Sequence, residues 1–331
     1  MVPPIPAGPS SASSPLSSHA ARGAVWVLIG STIAKATSVC SQLVLAWLLD
    51  PEVFGLVAMA LSASSLIAVL QELGLVELLV QRQRHFRRWA SAAFWLGISV
   101  SSAAALLLLA VSPLVARLYG EPRIVGLIAV IALRLPLAAL GWIAHARLIA
   151  DLQFKTVTVA NTAWSLLAAI LSIAFAFMGL GPYAFVLPMA ILALPQSIGW
   201  FLLAGQRISP RPHFDRWRFL WHDAGMLLGS RVLGAVQSQG DYVVLSIAHS
   251  ASVVGIYFFA FNLSMQAIQL LAAGLVPVLM PVFTRIHHDK DRTLKAFLRA
   301  STSISCIVMP FCLAQAVLAT PLLRLLYAVP R

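Results

Sequence analysis

The sequence has few charged residues for its length. Aspartate, glutamate, lysine and arginine make up 10% of the 331 residues, whereas soluble domains carry about 25%. Hydrophobic residues make up 60%, so the remaining charge cannot cover a water-soluble surface. The composition therefore excludes a soluble domain and predicts an all-α polytopic membrane protein.

Acidic residues are scarcer still, with 11 against 23 basic ones, and the formal net charge is +12. On a soluble face this charge would indicate nucleic-acid binding. Here the lysines and arginines cluster between apolar runs, which is typical of cytoplasmic membrane loops. We therefore expect a bilayer as the partner and no nucleic acid.

Cysteine is also rare, and the known catalytic motifs are missing from the sequence. Cys40, Cys306 and Cys312 lie within apolar runs, and their spacing matches no metal site or disulfide framework. The sequence has no G-x-S-x-G, no H-E-x-x-H and no P-loop. We expect no catalysis, no metal and no cofactor.

The sequence does contain long apolar runs. A span needs about 20 such residues, and the Ser- and Pro-rich residues 1–21 are predicted to form a disordered cytoplasmic tail before the first span. Nine spans are predicted at 23–49, 54–80, 89–113, 124–146, 157–179, 182–205, 219–248, 253–284 and 297–320.

Basic residues favour one side of this arrangement. The loops after odd-numbered spans hold only Arg117 and Arg123. Those after even-numbered spans hold Arg82, Arg84, Arg87, Arg88, Arg147, Lys155, Arg207, Arg211, Arg216, Arg218, Arg285, Lys290, Arg292, Lys295 and Arg299. This bias predicts a cytoplasmic N-terminus.

An internal repeat divides the chain. Gly30-Ser31 returns as Gly229-Ser230, 199 residues later, and Gly74-Leu75-Val76 returns 200 residues later. Residues 118–123 resemble 326–331, and nothing in the sequence corresponds to 124–205, so we expect three C-terminal spans to be missing. The predicted domains are the tail 1–21, a six-helix lobe 22–206, a basic cytoplasmic linker 207–218 and a partial second lobe 219–331.

Polar residues recur at helical spacing within several spans. Ser31, Lys35, Ser38 and Gln42 follow steps of 4, 3 and 4, and so do Ser230, Gly234, Gln237 and Asp241 at the positions paired by the 199-residue offset. Other polar residues within the spans are Arg134, Asn161, Ser165, Ser172, Arg231, Asn262, Gln266 and Gln269.

Ionisable groups in a span are costly and tend to face a cavity or a partner. The buried charge is mostly positive, with Lys35, Arg134 and Arg231 against Asp241. A cationic cavity suits a phosphate or pyrophosphate head group. We expect these three cations, with Gln42, Gln237, Asn161 and Gln266, to line a hydrated cavity between the lobes.

Simpler interpretations of the same residues stay open. The serine, asparagine and glutamine side chains could join neighbouring helices, and Lys35 could extend to the interface. Arg134 could fill a kink at Pro136. Arg231 and Asp241 could be structural ion pairs with other helices.

Several stretches resemble bacterial polysaccharide exporters, the O-antigen and exopolysaccharide flippases of the multidrug/oligosaccharidyl-lipid/polysaccharide superfamily. LAWLLDPEVFGLVAMAL with QELGLVELLVQ resembles their first hairpin, and AAFWLGISVS their third span. ARLIADLQFKTVTVAN resembles the loop after the fourth span, and GDYVVLSIAHSASVVGIYFFAFNL and LVPVLMPVFTRI resemble the seventh and eighth spans. The resemblance covers nearly all of the chain from about residue 22.

The resemblance implies a flippase for undecaprenyl-diphosphate-linked oligosaccharide in the bacterial inner membrane, with two six-helix lobes that open alternately to each side. Asp241 would then serve in gating or ion coupling, and other polysaccharide assembly proteins, such as the polymerase, would be partners. About nine spans stand where the family has at least twelve. A cation or drug exporter of the same superfamily, and a truncated protein without transport, are the alternatives.

Overall fold

A computed structural model describes residues 15–71, 74–76, 79, 86–205, 217–265 and 290–327. These residues form helices and turns, without a strand among them. The helices are α1 (Pro15–Leu48), α2 (Pro51–Ala68), α3 (Phe86–Tyr119), α4 (Ile124–Ala150), α5 (Phe154–Phe177), α6 (Tyr183–Ala204), α7 (Trp217–Ala248), α8 (Ala251–Met265) and α9 (Lys290–Tyr327). We refer to α1–α6 as the first lobe and to α7–α9 as the second lobe.

The described helices overlap the predicted spans, while residues 266–284 of the eighth span and 207–216 of the predicted linker lie outside the described residues. Six are long and apolar enough to cross a membrane, namely α2 to α6 and α9. Within the described residues, α8 is a shorter apolar helix. Helices α1 and α7 are long but carry the polar residues noted above. The prediction of an all-α, multi-pass membrane protein is confirmed.

Two predicted boundaries differ from the structure. α1 begins at Pro15, inside the segment predicted as a disordered tail, and proline suits a first helical position because its missing N–H needs no partner there. The second span, predicted through residue 80, leaves α-helical geometry at Ala68, continues as a 3₁₀ turn to Gln71 and bends at Gly74, where φ is +65°. Left-handed geometry of this kind favours glycine, and the described residues Leu75, Val76 and Leu79 after it are helical again.

Within the first lobe, α4 packs against both α3 and α6, and α1 packs along α5. Close backbone approach explains two glycines. A Cβ on Gly141 of α4 would lie 2.9 Å from the Cα of Ser197 on α6, and one on Gly30 of α1 would collide with Thr158 on α5. The Ser197 hydroxyl also donates to the Leu137 carbonyl at 2.7 Å. Such close contacts and hydrogen bonds hold helices together in lipid, because the hydrophobic effect does not drive helices together there.

The two lobes meet through α2, α7 and α8. α2 packs against α7, and Tyr242 of α7 and Val254 of α8 belong to the same buried cluster as Leu56 and Met59 of α2. The end of α1 joins this junction from the other side, because Leu45 shares a second cluster with Phe259 of α8.

The helix ends fix the register of the repeat. α1 ends at Leu48 and α7 at Ala248, while α2 begins at Pro51 and α8 at Ala251. Both pairs are 200 residues apart. Because α1 and α7 are continuous helices, the same offset applies along their length. The 199-residue offset used above for the polar stripes is therefore wrong by one position.

Candidate functional site

A cleft of about 290 Å³ lies between the end of α2 and the middle of α7. It is lined by Ser65, Ala68, Val69, Arg231, Ala235, Ser238 and Gln239. Its chemistry is one guanidinium, two hydroxyls and one carboxamide on an otherwise apolar wall.

The spacing on α7 explains why Arg231 reaches this cleft. Arg231, Ala235, Ser238 and Tyr242 follow steps of 4, 3 and 4, so they share one helical face. Ala235 is 9% exposed and Tyr242 is 5% exposed, which shows that this face is the one packed inward. Arg231 stands at the end of this face, half-buried, beside the point where α2 passes into its 3₁₀ turn.

A guanidinium beside hydroxyl and amide groups is a suitable site for an anion, because it offers several N–H donors in a plane. In the structure the Ser65 hydroxyl donates to the Ser62 carbonyl at 2.8 Å and the Ser238 hydroxyl to the Ala235 carbonyl at 3.2 Å. Both hydroxyls can rotate towards a ligand. The cleft can therefore recognise phosphate-like oxygens beside an apolar group.

With the corrected register, the polar stripe of α1 pairs with this face of α7. Ser31, Lys35, Ser38 and Gln42 correspond to Arg231, Ala235, Ser238 and Tyr242. All four α1 residues are half-buried. The lipid-exposed side of α1 is elsewhere, with Ile29, Ile33 and Trp47 each about half exposed.

The predicted site residues are not all gathered in one place. Among the described residues, the cleft contains Arg231 and none of the other predicted ones. Arg134 is half-buried on α4 and Gln42 is half-buried on α1. Gln237 and Asn161 are exposed, and Gln266 lies outside the described residues.

Two of the half-buried groups lack polar partners within the part of the chain that the structure describes. The side-chain oxygen Oε1 of Gln42 is buried and accepts no hydrogen bond there. The Arg134 guanidinium forms neither a hydrogen bond nor an ion pair with a described residue. Both remain available to contact another molecule.

Asp241 is held by an aromatic partner that the sequence reasoning did not assign. Its Oδ2 accepts a hydrogen bond from the Tyr257 hydroxyl at 2.6 Å, and its Oδ1 accepts one from the Tyr242 backbone N–H at 2.9 Å. The Tyr242 and Tyr257 rings pack edge to face with centroids 5.4 Å apart. Tyr257 lies in the stretch GDYVVLSIAHSASVVGIYFFAFNL quoted above, but only the pairing of α7 with α8 brings its hydroxyl to Asp241.

At the end of the bundle that holds Asp50 and His249, an ion-pair cluster joins α2 to the turn between α3 and α4. The Arg123 guanidinium pairs with Glu52 and with Glu121, the latter at 3.1 Å. The hydrogen bond that the guanidinium donates to Glu52, followed by the one that it donates to Glu121, raises the pKa of Arg123. One of the two basic exceptions in the odd-numbered loops is thus compensated by carboxylates.

Comparison with known proteins gives a family for most of the chain. A family described as polysaccharide biosynthesis protein matches residues 44–329. No solved structure matches the chain.

Three curated proteins are similar to the chain. It is 26% identical over 309 residues to the succinoglycan biosynthesis transport protein ExoT of Rhizobium meliloti (strain 1021), covering 92% of this chain and 62% of ExoT. It is 26% identical over 259 residues to the amylovoran biosynthesis protein AmsL of Erwinia amylovora, covering 75% and 65%. It is 21% identical over 314 residues to the lipopolysaccharide biosynthesis protein WzxC of Escherichia coli (strain K12), covering 92% and 62%. The chain thus spans less than two thirds of each relative's length.

Proposed function

Because the chain belongs to the family of polysaccharide biosynthesis proteins, we propose that it moves a lipid-linked oligosaccharide across the bacterial inner membrane. The lipid carrier in this proposal is undecaprenyl diphosphate, and the protein acts as a flippase, not as an enzyme. Its similarity to ExoT, a succinoglycan biosynthesis transport protein, and to WzxC, a lipopolysaccharide biosynthesis protein, supports a function in polysaccharide export.

The observation that carries the proposal is the position of Arg231. A cation within a span is costly unless it faces a cavity or a partner, and Arg231 lines a cleft at the junction of the two lobes. The diphosphate would contact Arg231 and the hydroxyls of Ser65 and Ser238. The apolar wall formed by Ala68 and Val69 would lie against the first isoprene units.

Lys35 enters the same proposal through the repeat. Its stripe on α1 corresponds to the cleft face of α7, so the two faces approach the lobe junction from equivalent directions. Lys35 would contribute the second cationic contact from the first lobe. Arg134, Gln42, Gln237, Asn161 and Gln266 remain predicted contacts for the head group or the sugars.

Transport would proceed by alternating access between the lobes. With the N-terminus in the cytoplasm, as we propose, Arg231 lies on the cytoplasmic half of α7, nearer its start than its end. At the opposite end α2 and α8 are in direct contact. This arrangement corresponds to a state that receives the lipid from the cytoplasmic leaflet. The polymerase and other assembly proteins would then act on the product.

The first test concerns Arg231. The full chain would be expressed in a bacterial strain that lacks its own exporter of this family, and surface polysaccharide would be measured. We expect Arg231→Ala to lower export at least tenfold and Arg231→Lys to retain part of it, because a charge without the planar fork still attracts phosphate. Arg299→Ala, which removes an exposed arginine of α9, is the matched control.

Binding provides a second measurement that does not need transport. Farnesyl diphosphate is a soluble probe with the same head group and a short isoprenoid. We expect it to raise the melting temperature of the purified protein, and the effect should disappear in Arg231→Ala and weaken at high salt. Unchanged export and unchanged stabilisation in Arg231→Ala would contradict the proposed head-group site.

A cation or drug exporter of the same superfamily is the second candidate, and the carboxylate of Asp241 favours it. This group is half-buried between α7 and α8 and is held by Tyr257. Growth of the same strain with cationic dyes would separate the candidates. Resistance that depends on Asp241 but not on Arg231 would favour the drug exporter, and export of polysaccharide that depends on Arg231 would exclude it.

A further inference from the structure

α2 and α8 meet through a pair of glycines that the repeat places at equivalent positions. A Cβ on Gly55 of α2 would collide with the carbonyl oxygen of Ala251 on α8. A Cβ on Gly255 of α8 would collide with the carbonyl oxygen of Pro51 on α2, and it would lie 2.8 Å from the Gly55 nitrogen. In both cases the obstacle is backbone, which cannot rotate away as a side chain can.

The contact is reciprocal in the corrected register. Pro51 corresponds to Ala251 and Gly55 to Gly255. Gly55 lies against the carbonyl of Ala251, and Gly255 lies against the carbonyl of Pro51, so the two contacts are equivalent. The surrounding apolar residues follow the same rule, because Leu45 shares a cluster with Phe259 and Met59 shares one with Leu245. The crossing therefore lies on a local two-fold axis that relates the two lobes.

The crossing closes only one end of the lobe junction. Phe54, next to Gly55, is 2% exposed and packs edge to face against Phe185 and Phe259, with ring centroids 5.1 and 5.8 Å away. The other end of α2, at Ser65 to Val69, borders the Arg231 cleft. The junction is tightly packed at the glycines and open about three to four helical turns further along.

We infer that Gly55 and Gly255 form the closure of the extracytoplasmic end, a contact that must separate when the cleft opens to the outside. This inference rests on the proposed function for its direction, but the closed contact itself does not. At the point of contact the two glycines bring backbone against backbone, so no side chain at these two positions has to move when the helices part. A methyl group at either position would hold α2 and α8 apart.

The test measures the distance between the lobes directly. In the full chain, with Cys40, Cys306 and Cys312 replaced by serine, nitroxide labels would be placed at Leu118→Cys on α3 and Ser252→Cys on α8, both exposed. We expect one short-distance population with native glycines, and a longer or broader one in Gly55→Ala and in Gly255→Ala alike. Gly234→Ala is the matched control, because its added Cβ would meet no atom within 4 Å.

Access to the cleft is the second readout. Ser238→Cys would be treated in whole spheroplasts with a membrane-impermeant thiol reagent. We expect little labelling with native glycines, and at least a severalfold rise in Gly55→Ala and Gly255→Ala. If both variants keep the native distance and the native labelling, or if Gly234→Ala changes them equally, the inference is wrong.

Glycine variants that do not fold would be recognised by size-exclusion chromatography. In that case a cross-link in the protein with native glycines tests the closure instead. Glu52→Cys and Ser252→Cys occupy equivalent positions beside the crossing and should be joined within one molecule by a short bifunctional maleimide. Absence of this cross-link in folded protein would overturn the closure. None of these readouts requires transport, so a failure of Arg231→Ala to affect export would remove the proposed function and leave the closure standing.

Discussion

At the scale of single residues, Arg231 and Asp241 of α7 have different surroundings. Arg231 lines a cleft with hydroxyl and amide groups, whereas Asp241 has both oxygens engaged by Tyr257 and by the Tyr242 N–H. The two lie on different faces of one helix and do not pair. An arginine at the cleft and a carboxylate held by a neighbouring helix are the arrangement that the proposed anionic substrate requires.

The tie between Asp241 and Tyr257 can be tested with paired phenylalanine substitutions. Tyr257→Phe removes the hydroxyl that donates to Oδ2, and a hydrogen bond to a charged group contributes about 1.5–3 kcal/mol, less at a half-exposed site. We therefore expect a lower melting temperature. Tyr242→Phe is the control, because among the described residues the Tyr242 side chain makes ring contacts only.

An equal effect of the two substitutions would show that ring packing, and not the hydroxyl, holds α7 to α8. Tyr242 and Tyr257 share a face-to-edge contact, so both variants keep the aromatic volume. The difference between them reports the carboxylate contact alone.

At the scale of helices, small residues decide which elements can approach. Gly141 lets α4 lie against the backbone of α6 at Ser197, and the hydroxyl of Ser197 closes the contact by donating to Leu137. α4 is the central helix of the first lobe, since it also packs on α3. Gly141 itself faces α6, so a change there acts on the α4–α6 pair.

We expect Gly141→Ala to destabilise the first lobe by about 1–3 kcal/mol, the usual cost of overpacking a core. The added Cβ would lie 2.9 Å from the Ser197 Cα and 3.1 Å from the Trp200 ring. Thermal unfolding in detergent measures the effect. Gly234→Ala should leave stability unchanged or raise it slightly, because alanine favours a helix and the site is open. Equal melting temperatures for Gly141→Ala and the native protein would contradict this packing.

The positions of the helices followed from apolar run length, because a span must satisfy its backbone within itself and cover about 30 Å of hydrocarbon. Local geometry was less accessible. The bend at Gly74 depends on a left-handed conformation, with φ of +65°, which a window of apolar residues does not register. The start of α1 depends on a proline that composition alone assigned to a disordered tail.

The candidate site was predicted only in part, for a reason visible in the repeat. A one-residue error in the repeat offset rotates the matched positions by about 100° around the helix. Ser38 was therefore matched to Gln237, whereas the 200-residue offset matches Ser38 to Ser238. Arg231 was recognised by its charge, which needs no register. Ser65 and Tyr257 were not assigned because their partners lie on other helices, and sequence spacing carries no information about those contacts.

At the scale of the whole molecule, the distribution of basic residues and the internal repeat both predict the same orientation in the membrane for the two lobes. The repeat offset is 200 residues and spans an even number of predicted crossings, so α1 and α7 run in the same direction, as do α2 and α8. The basic loops all fall on the side where α1, α3, α5 and α7 begin. Arg123, on the opposite side, is compensated by Glu52 and Glu121, so it does not offset this bias.

This orientation predicts the outcome of enzyme fusions. Alkaline phosphatase, which is active only outside the cytoplasm, should be active when fused after Leu180, between α5 and α6, because the loops after odd-numbered helices carry little positive charge. It should be inactive after Gly205, at the end of α6, with equal amounts of both fusions verified by immunoblot. The reverse pattern would place the Arg231 cleft towards the outside and the Gly55–Gly255 crossing towards the cytoplasm. The lipid would then have to enter from the leaflet that it is proposed to reach, so the orientation decides whether the cleft is an entrance or an exit.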